Sequence, residues 1–527
     1  MVYLFFIPMP VIKINNNYSV LLGSIPDDMF HYVDNECSYY TMGFAFTEQY
    51  NRLVYTCRSC GYEKFELNSD LLMCPQCRSS DLIEKRAWDG KVHMLKRKGK
   101  CIYFPTGLFS IVREALKHYK IDYKLFDERK TYASTGAYKI QKEGFNLYEY
   151  QKYAVERAAQ CQRGVIQMGT GAGKTACAAA IICHIGITPV VFYVLSKDLL
   201  LQTKEEFEDL ISLNGEKINV GIIGGGMCDI QKINVMTIQT AVQALGKKFT
   251  KTELDEYNPD TTDIKEHKKG IVNLIKQAKL IFADECHHVP AKIVKDVIFS
   301  SAMAKYRFGL SASPWRDSGD DLSIEAQFGR KIVKVLSSQL IREGFLVKPT
   351  IHFKKIKPTR KSFRRYDQIY KHAVVQNEER NQYIADVALE RAAENKSVLI
   401  LVKQITHGKE ILKRIPGAVL ITGKDSLKKR KEVIEKMKSK EQLIAIATTL
   451  ADEGLNIKCL EVGILAGSGK SSVRALQRVG RFMRLFEGKT EAHIYDFYDD
   501  CKYLEEHSKR RRKIYETEEE FEIIDHD

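Results

Sequence analysis

Apolar residues fall in short blocks separated by polar or glycine-rich breaks over most of the chain. The blocks at 165–168, 190–195, 220–223, 233–236, 279–282 and 398–402 read as strands. Helical spacing alternates with them, and that alternation predicts a parallel α/β sheet. Ahead of these blocks, residues 1–55 mix short apolar runs with polar breaks and predict strands. Leu108, Ile111, Val112, Ala115 and Leu116 share one helix face, so a helix is expected over 108–119, with a short strand at 123–126. Residues 131–143 are polar and read as a linker, and 246–270 as a surface insertion. The basic run at 509–513 with an acidic end predicts a helix and a tail over 501–527.

Length adds a domain count. A chain of 527 residues suggests three or four domains, and 44% hydrophobic content supports buried cores. The net charge of +15 favours a polyanionic partner. No run of eighteen apolar residues appears, so no membrane span is expected. The opening M-V-Y-L-F-F-I-P lacks a basic start and a cleavage site and is expected to be a buried strand. The 13 cysteines are mostly scattered and read as reduced thiols of an intracellular, cytoplasmic protein.

Four cysteines differ from the others. C-R-S-C at Cys57 and Cys60, then C-P-Q-C at Cys74 and Cys77, form two knuckles thirteen residues apart. Four thiolates at this spacing hold one tetrahedral Zn²⁺ with no open position, so the metal is structural and its binding energy is folding energy. A zinc ribbon is expected over 52–82.

The chemistry centres on G-V-I-Q-M-G-T-G-A-G-K-T-A-C-A-A-A-I-I, residues 164–182. A strand turns through Gly169, Thr170, Gly171, Ala172 and Gly173 into an alanine-rich helix opened by Lys174 and Thr175. The backbone N–H groups of such a turn wrap a phosphate, and the helix N-terminus adds its dipole. Lys174 suits the β- and γ-phosphates of ATP, and the Thr175 hydroxyl suits Mg²⁺. Met168 stands where the phosphate-loop pattern has its first glycine. A second G-K-S, at 469–471, has Ile464 at that position. Asp284 and Glu285 close the 279–282 strand, with Asp284 110 residues after Lys174. A carboxylate pair at a strand's C-terminal end holds Mg²⁺ through the first residue and aims water with the second. Only 57 residues follow Lys470, too few for a second such domain, so 169–175 is expected to be the working loop.

In their order these pieces resemble a superfamily 2 helicase of the DECH-box kind, over roughly residues 91–500. The resemblance implies that Gln151, in L-Y-E-Y-Q, meets the adenine, although Tyr148 replaces the usual arginine. It assigns V-L-S-K-D-L-L-L-Q (194–202) to motif Ia and D-E-C-H to motif II. It assigns Ser311, Ala312 and Ser313 to motif III, which couples the lobes. A-T-T-L-A-D-E-G-L-N-I (447–457) is similar to motif V, with Gly454 in it. Q-R-V-G-R-F-M-R (477–484) is similar to motif VI, with Gln477 at the nucleotide and Arg481 and Arg484 at the arginine-finger positions. The finer resemblance is to phage UvsW-like and eukaryotic XPB-like DNA helicases. It is carried by F-P-T-G-L (104–108), D-E-R-K (127–130), G-F-L-V-K-P (344–349), N-E-E-R-N (377–381) and G-K-S-S-V-R-A-L-Q (469–477), and it makes the zinc ribbon an insertion.

That family implies an α/β protein of two tandem RecA-like parallel-sheet domains, at 144–340 and 345–500. An N-terminal α+β domain carrying the zinc ribbon, 1–143, is expected to engage DNA. ATP then sits between the lobes, and each hydrolysis cycle shifts one grip on the backbone past the other. Gly224, Gly225 and Thr237 in the first lobe, and Thr448 and Thr449 in the second, are the expected phosphate contacts. The implied activity is that of an ATP-driven helicase or translocase on duplex or branched DNA. RNA stays open, because backbone readout does not identify the sugar. The rival reading is a zinc-ribbon adaptor whose ATPase core serves as a clamp or switch in transcription. Protein partners in replication, recombination or transcription stay unassigned.

Overall fold

The computed structural model describes residues 9–40, 52–60, 62–67, 73–74, 76–80, 82–86, 91–248, 265–288, 292–312, 321–357, 365–448, 458–467 and 472–526. In the N-terminal part, β1 (Val11–Ile14) and β2 (Tyr18–Leu22) alternate buried and open positions, so their sheet has one packed face. Helix α1 (Asp27–Glu36) follows where the sequence pattern suggests strands only; it buries Met29 and Val33, four residues apart, and carries Asp27 and Asp28 in its first turn. Next come β3 (Lys96–Lys98), β4 (Cys101–Pro105), α2 (Phe109–His118) and β5 (Lys124–Asp127), in the sheet order β5-β1-β2-β4-β3. Ile12, Ile14, Leu21, Ile102 and Phe104 pack with Val112, Ala115 and Leu116 of α2 and with the buried face of α1. The ribbon is a separate three-stranded antiparallel sheet of Arg52–Cys57, Glu63–Leu67 and Leu82–Arg86.

The segment read as a linker is docked. Tyr138–Ile140 pairs antiparallel with Ile211–Leu213, and the Tyr132 hydroxyl donates to the Met303 carbonyl at 2.8 Å. Helix α3 (Glu149–Cys161) then opens the first lobe. It leads to β6 (Arg163–Met168), α4 (Lys174–Ile185), β7 (Val190–Val194), α5 (Lys197–Leu210), β8 (Gly221–Gly224), β9 (Met227–Asp229), β10 (Ile233–Thr237), β11 (Leu280–Ala283), α6 (Lys292–Ser300), β12 (Tyr306–Ser311) and β13 (Lys331–Val335). The eight strands run β9-β8-β10-β7-β11-β12-β6-β13, all parallel except β9. The central strands are buried on both faces, which is why they read as unbroken apolar runs. The expected insertion at 246–270 lies largely outside the described residues.

A short helix, α7 (Ser337–Arg342), connects to the second lobe. There β14 (Lys348–Ile356), β15 (Val398–Val402), β16 (Val419–Ile421), β17 (Ile444–Thr448), β18 (Val462–Ile464), β19 (Glu491–Asp499) and β20 (Glu522–His526) form one parallel sheet, ordered β16-β17-β15-β18-β19-β14-β20. Helices α8 (Ser472–Phe482) and α9 (Leu504–Tyr515) pack near β19. The acidic end is therefore no tail: it supplies an edge strand. Arg511 of α9 meets Asp496 of β19 at 2.9 Å, both buried, and the Tyr515 hydroxyl donates to the same carboxylate at 2.8 Å. Glu518 accepts from the Ser338 amide at 3.0 Å and hydroxyl at 2.7 Å, which ties the end of the chain to the inter-lobe connector.

The N-terminal domain is fastened to the first lobe. Asn17 donates to the Phe299 carbonyl at 2.8 Å and accepts from buried Arg307. A Cβ on Gly107 would sit 1.9 Å from the Glu325 carbonyl, so only glycine allows this approach. Among the described residues no helix is long and apolar enough to cross a membrane.

Candidate active site

The turn between β6 and α4 lies beside the C-terminal end of β11, outside the strand ends of the first sheet. Gly171 and Gly173 have φ of +91° and +74°, a conformation that favours glycine. Met168, in place of a glycine, is a buried strand residue, and the turn forms after it. Gly169 rests on Ser337 at the start of α7: an added Cβ would be 2.8 Å from its Oγ.

The cleft between the lobes measures about 870 Å³, within the range of ligand pockets. Thr170, Lys174, Thr175, Asp284 and Glu285 line it from the first lobe, and Gln477, Arg481 and Arg484 from the second. Gln477 Nε2 donates to Glu285 Oε2 at 2.9 Å across the lobe boundary. Glu285 also accepts from the Ser311 hydroxyl at 3.2 Å, while its other oxygen lies 3.9 Å from Lys174 Nζ. His287 Nδ1 stands 3.2 Å from that hydroxyl and 3.4 Å from Glu285 Oε2. The second-lobe helix sits directly on the phosphate turn, and a Cβ on Gly480 would be 2.4 Å from Thr170 Cβ.

The two carboxylates differ electrostatically. Burial, then the Glu285 charge beside it, raises the Asp284 carboxyl. Burial also pushes Glu285 up, but Lys174 and His287 outweigh it and hold this carboxyl below the usual range. Burial, with Arg481 nearby, lowers Arg484 to about 10, and Glu206 opposes that.

Glu206 of α5 escaped the sequence reading. It lines the cleft, and burial raises its carboxyl against the pull of Arg484. The aromatic wall was missed too. Tyr148 and Phe345 lie 4.2 Å apart between ring centroids, with Tyr150 5.7 Å from each. Gln151, expected at the adenine, is buried behind the turn: it donates to the Ala172 carbonyl at 3.1 Å and accepts from the Tyr148 amide at 3.0 Å.

The expected nucleic-acid contacts are placed apart from this cleft. Gly224 ends β8 against Thr237, with Gly225 next to it, and the Thr237 hydroxyl caps the following helix by accepting from the Thr240 amide at 3.3 Å. Thr448, at the end of β17, keeps a buried hydroxyl without a partner among the described residues. Thr449 and Gly454, together with Ser313 and the G-K-S containing Lys470, lie outside the described residues.

In the ribbon the Cys57 and Cys77 sulfurs are 3.4 Å apart, those of Cys60 and Cys74 3.6 Å, and all four lie within 4.8 Å of one another. Zn–S bonds of about 2.3 Å at tetrahedral angles separate sulfurs by about 3.8 Å. The donor set fits that ion in number, chemistry and spacing.

Comparison with known proteins agrees with this geometry. The family described as type III restriction enzyme, res subunit, matches residues 144–316, and the helicase conserved C-terminal domain matches 379–486. The chain is 25% identical to the DNA 3'-5' translocase XPB2 of Sulfurisphaera tokodaii, over 65% of this chain and 80% of that protein. It is 22% identical to the ATP-dependent DNA helicase uvsW of Enterobacteria phage T4, over 67% and 68%. The crystal structure of the DUF1998 helicase MrfA bound to DNA superposes with a TM-score of 0.51 at 15% identity, covering 71% of this chain and 49% of that one, and shows the same fold.

Proposed function

The chain belongs to superfamily 2 of the helicases, and from that premise we propose how its residues drive movement along DNA. The carrying observation is the Gln477–Glu285 hydrogen bond, which joins the lobes at the reacting end of the cleft. ATP binds with its phosphates in the 169–175 turn and its base against Tyr148 and Phe345. Lys174 neutralises the β- and γ-phosphates. Glu285, ionised and oriented by Ser311 and Gln477, aligns the attacking water. Arg481 and Arg484 reach the γ-phosphate from the second lobe, a contribution worth about 10³–10⁵ in rate for such arginines. Thr175 and Asp284 would hold Mg²⁺, which when bound offsets phosphate charge.

Closure therefore depends on the nucleotide, and opening follows loss of the γ-phosphate. DNA is the partner. Gly224, Gly225, Thr237 and Thr448 are its proposed backbone contacts, and the XPB-named relatives suggest 3'–5' movement. One Zn²⁺ holds the ribbon through Cys57, Cys60, Cys74 and Cys77. The experiment is a single ATPase series with branched DNA, duplex DNA and RNA, beside unwinding of 3'- and 5'-tailed duplexes. DNA stimulation with unwinding of the 3'-tailed substrate is expected. Stimulation by RNA alone, or no hydrolysis on any of them, overturns the reading.

A further inference from the structure

One face of the N-terminal sheet packs on α1 and α2, and among the described residues the other is open. Its register aligns Phe126, Lys13, Val20, Tyr103 and Lys96 in one row, and Lys124, Val11, Leu22, Cys101 and Lys98 in the next. These rows alternate with Ile12, Leu21 and Ile102, which are buried, so they point outward. Phe126 is 51% exposed and Tyr103 40%. Lys96, Lys98 and Lys124 are exposed as well, while Lys13 pairs with Glu128 at 2.9 Å. Neither row contains an acidic residue. Further along β2, Tyr18 stacks on Phe299 of α6 with centroids 5.1 Å apart and planes 3° apart, so the face runs up to the first ATPase lobe.

Large rings left in water among lysines suit one ligand class. A ring offers a stacking surface that any base accepts, and lysines meet the phosphates between bases. Tyr103 and Phe126 lie three strand spacings apart, about 14 Å, so a chain laid across the strands meets both. A duplex keeps its bases paired inside and leaves such rings unused. We propose that this face binds a single DNA strand, with bases stacked on Tyr103 and Phe126 and phosphates against Lys96, Lys98 and Lys124. The face thereby holds one strand of the substrate beside the lobes; this rests on the DNA reading above.

The test uses the full chain, with Tyr103→Ala/Phe126→Ala and Lys96→Gln/Lys98→Gln as variants. Fluorescein-labelled oligothymidine and a blunt duplex of equal length are titrated by anisotropy at several salt concentrations. The ring variant is expected to bind oligothymidine about tenfold or more weakly, with wild-type salt dependence and wild-type duplex affinity. The lysine variant is expected to lower the salt slope on oligothymidine by about 1.4. A 5-iodouracil oligonucleotide should crosslink to the peptide bearing Tyr103 or Phe126. Wild-type oligothymidine affinity in the ring variant, an equal loss on duplex, or an unchanged slope in the lysine variant overturns the proposal. Hydrolysis of ATP without DNA reports separately on the lobes, so failure of this face and failure of the helicase reading are distinguishable.

Discussion

Lys174 and Glu285 stand 3.9 Å apart, and the proposed function gives them opposite tasks, one toward the phosphates and one toward water. Lys174→Ala is expected to abolish hydrolysis and weaken nucleotide binding. Glu285→Gln is expected to abolish hydrolysis while leaving ATP bound, because it removes only the charge that aligns water; steady-state ATPase with fluorescent-nucleotide titration checks both. A residue far from the cleft predicts pH behaviour. His407 Nε2 donates to Asn381 Oδ1 at 2.9 Å, and its buried Nδ1 has no partner among the described residues. Burial, then the Arg380 charge, lowers this imidazole to about 3 from its ordinary 6.5. Between those values the unfolded chain takes up a proton that the folded chain refuses. Stability from this site is therefore complete above about pH 6.5 and declines as the pH falls toward 3. His407→Gln keeps a donor and does not titrate, so its melting temperature should fall less between pH 7 and pH 5 than that of the wild type. Equal slopes in the two proteins exclude this account.

At the scale of elements, α8 decides how closely the lobes meet. Gly480 lies in this helix without a positive φ, so alanine suits the helix itself, and the nearest obstacle to its methyl group is Thr170 across the boundary. Gly480→Ala is expected to leave nucleotide binding in the first lobe intact and to lower hydrolysis at least about tenfold, since about 1.4 kcal/mol of lost closure suffices. Thr170→Gly in the same chain should restore part of the rate; no rescue in a double-mutant ATPase assay counts against a steric cause. The elements themselves were legible unevenly. Strands buried on both faces, such as β7 and β15, announce themselves as apolar runs. Helix α1 fully buries only Met29 and Val33 while Phe30 and Tyr32 lie between them and blur its period, and Tyr138–Ile140 is three residues long. Lys174, Asp284 and Arg481 were legible because each sits in a contiguous motif. Glu206 and Phe345 were not, because their place in the cleft comes from the packing of α5 and of the inter-lobe connector rather than from neighbours in sequence.

For the whole molecule, cleft and ribbon are separable. Cys60→Ser is expected to release the metal and unravel the ribbon while the ATPase lobes stay folded; metal analysis and DNA-free ATPase of the same sample check it, and wild-type protein without zinc refutes it. Arg481→Ala should bind ATP normally yet lose DNA-stimulated hydrolysis and unwinding together, since it acts only when the lobes meet. Asp198 and Arg430 span the lobes at 2.6 Å and help hold that arrangement without nucleotide contact. The second sheet also bears on how the protein is made. Its first strand, β14, pairs with β19 on one side and β20 on the other, and both follow it by well over a hundred residues. At about 5–20 residues per second of synthesis, β14 waits roughly ten to thirty seconds for its last partner. The first lobe can settle during that interval, while the second carries an unpaired strand on the ribosome, so the speed of translation is expected to influence the yield of active protein.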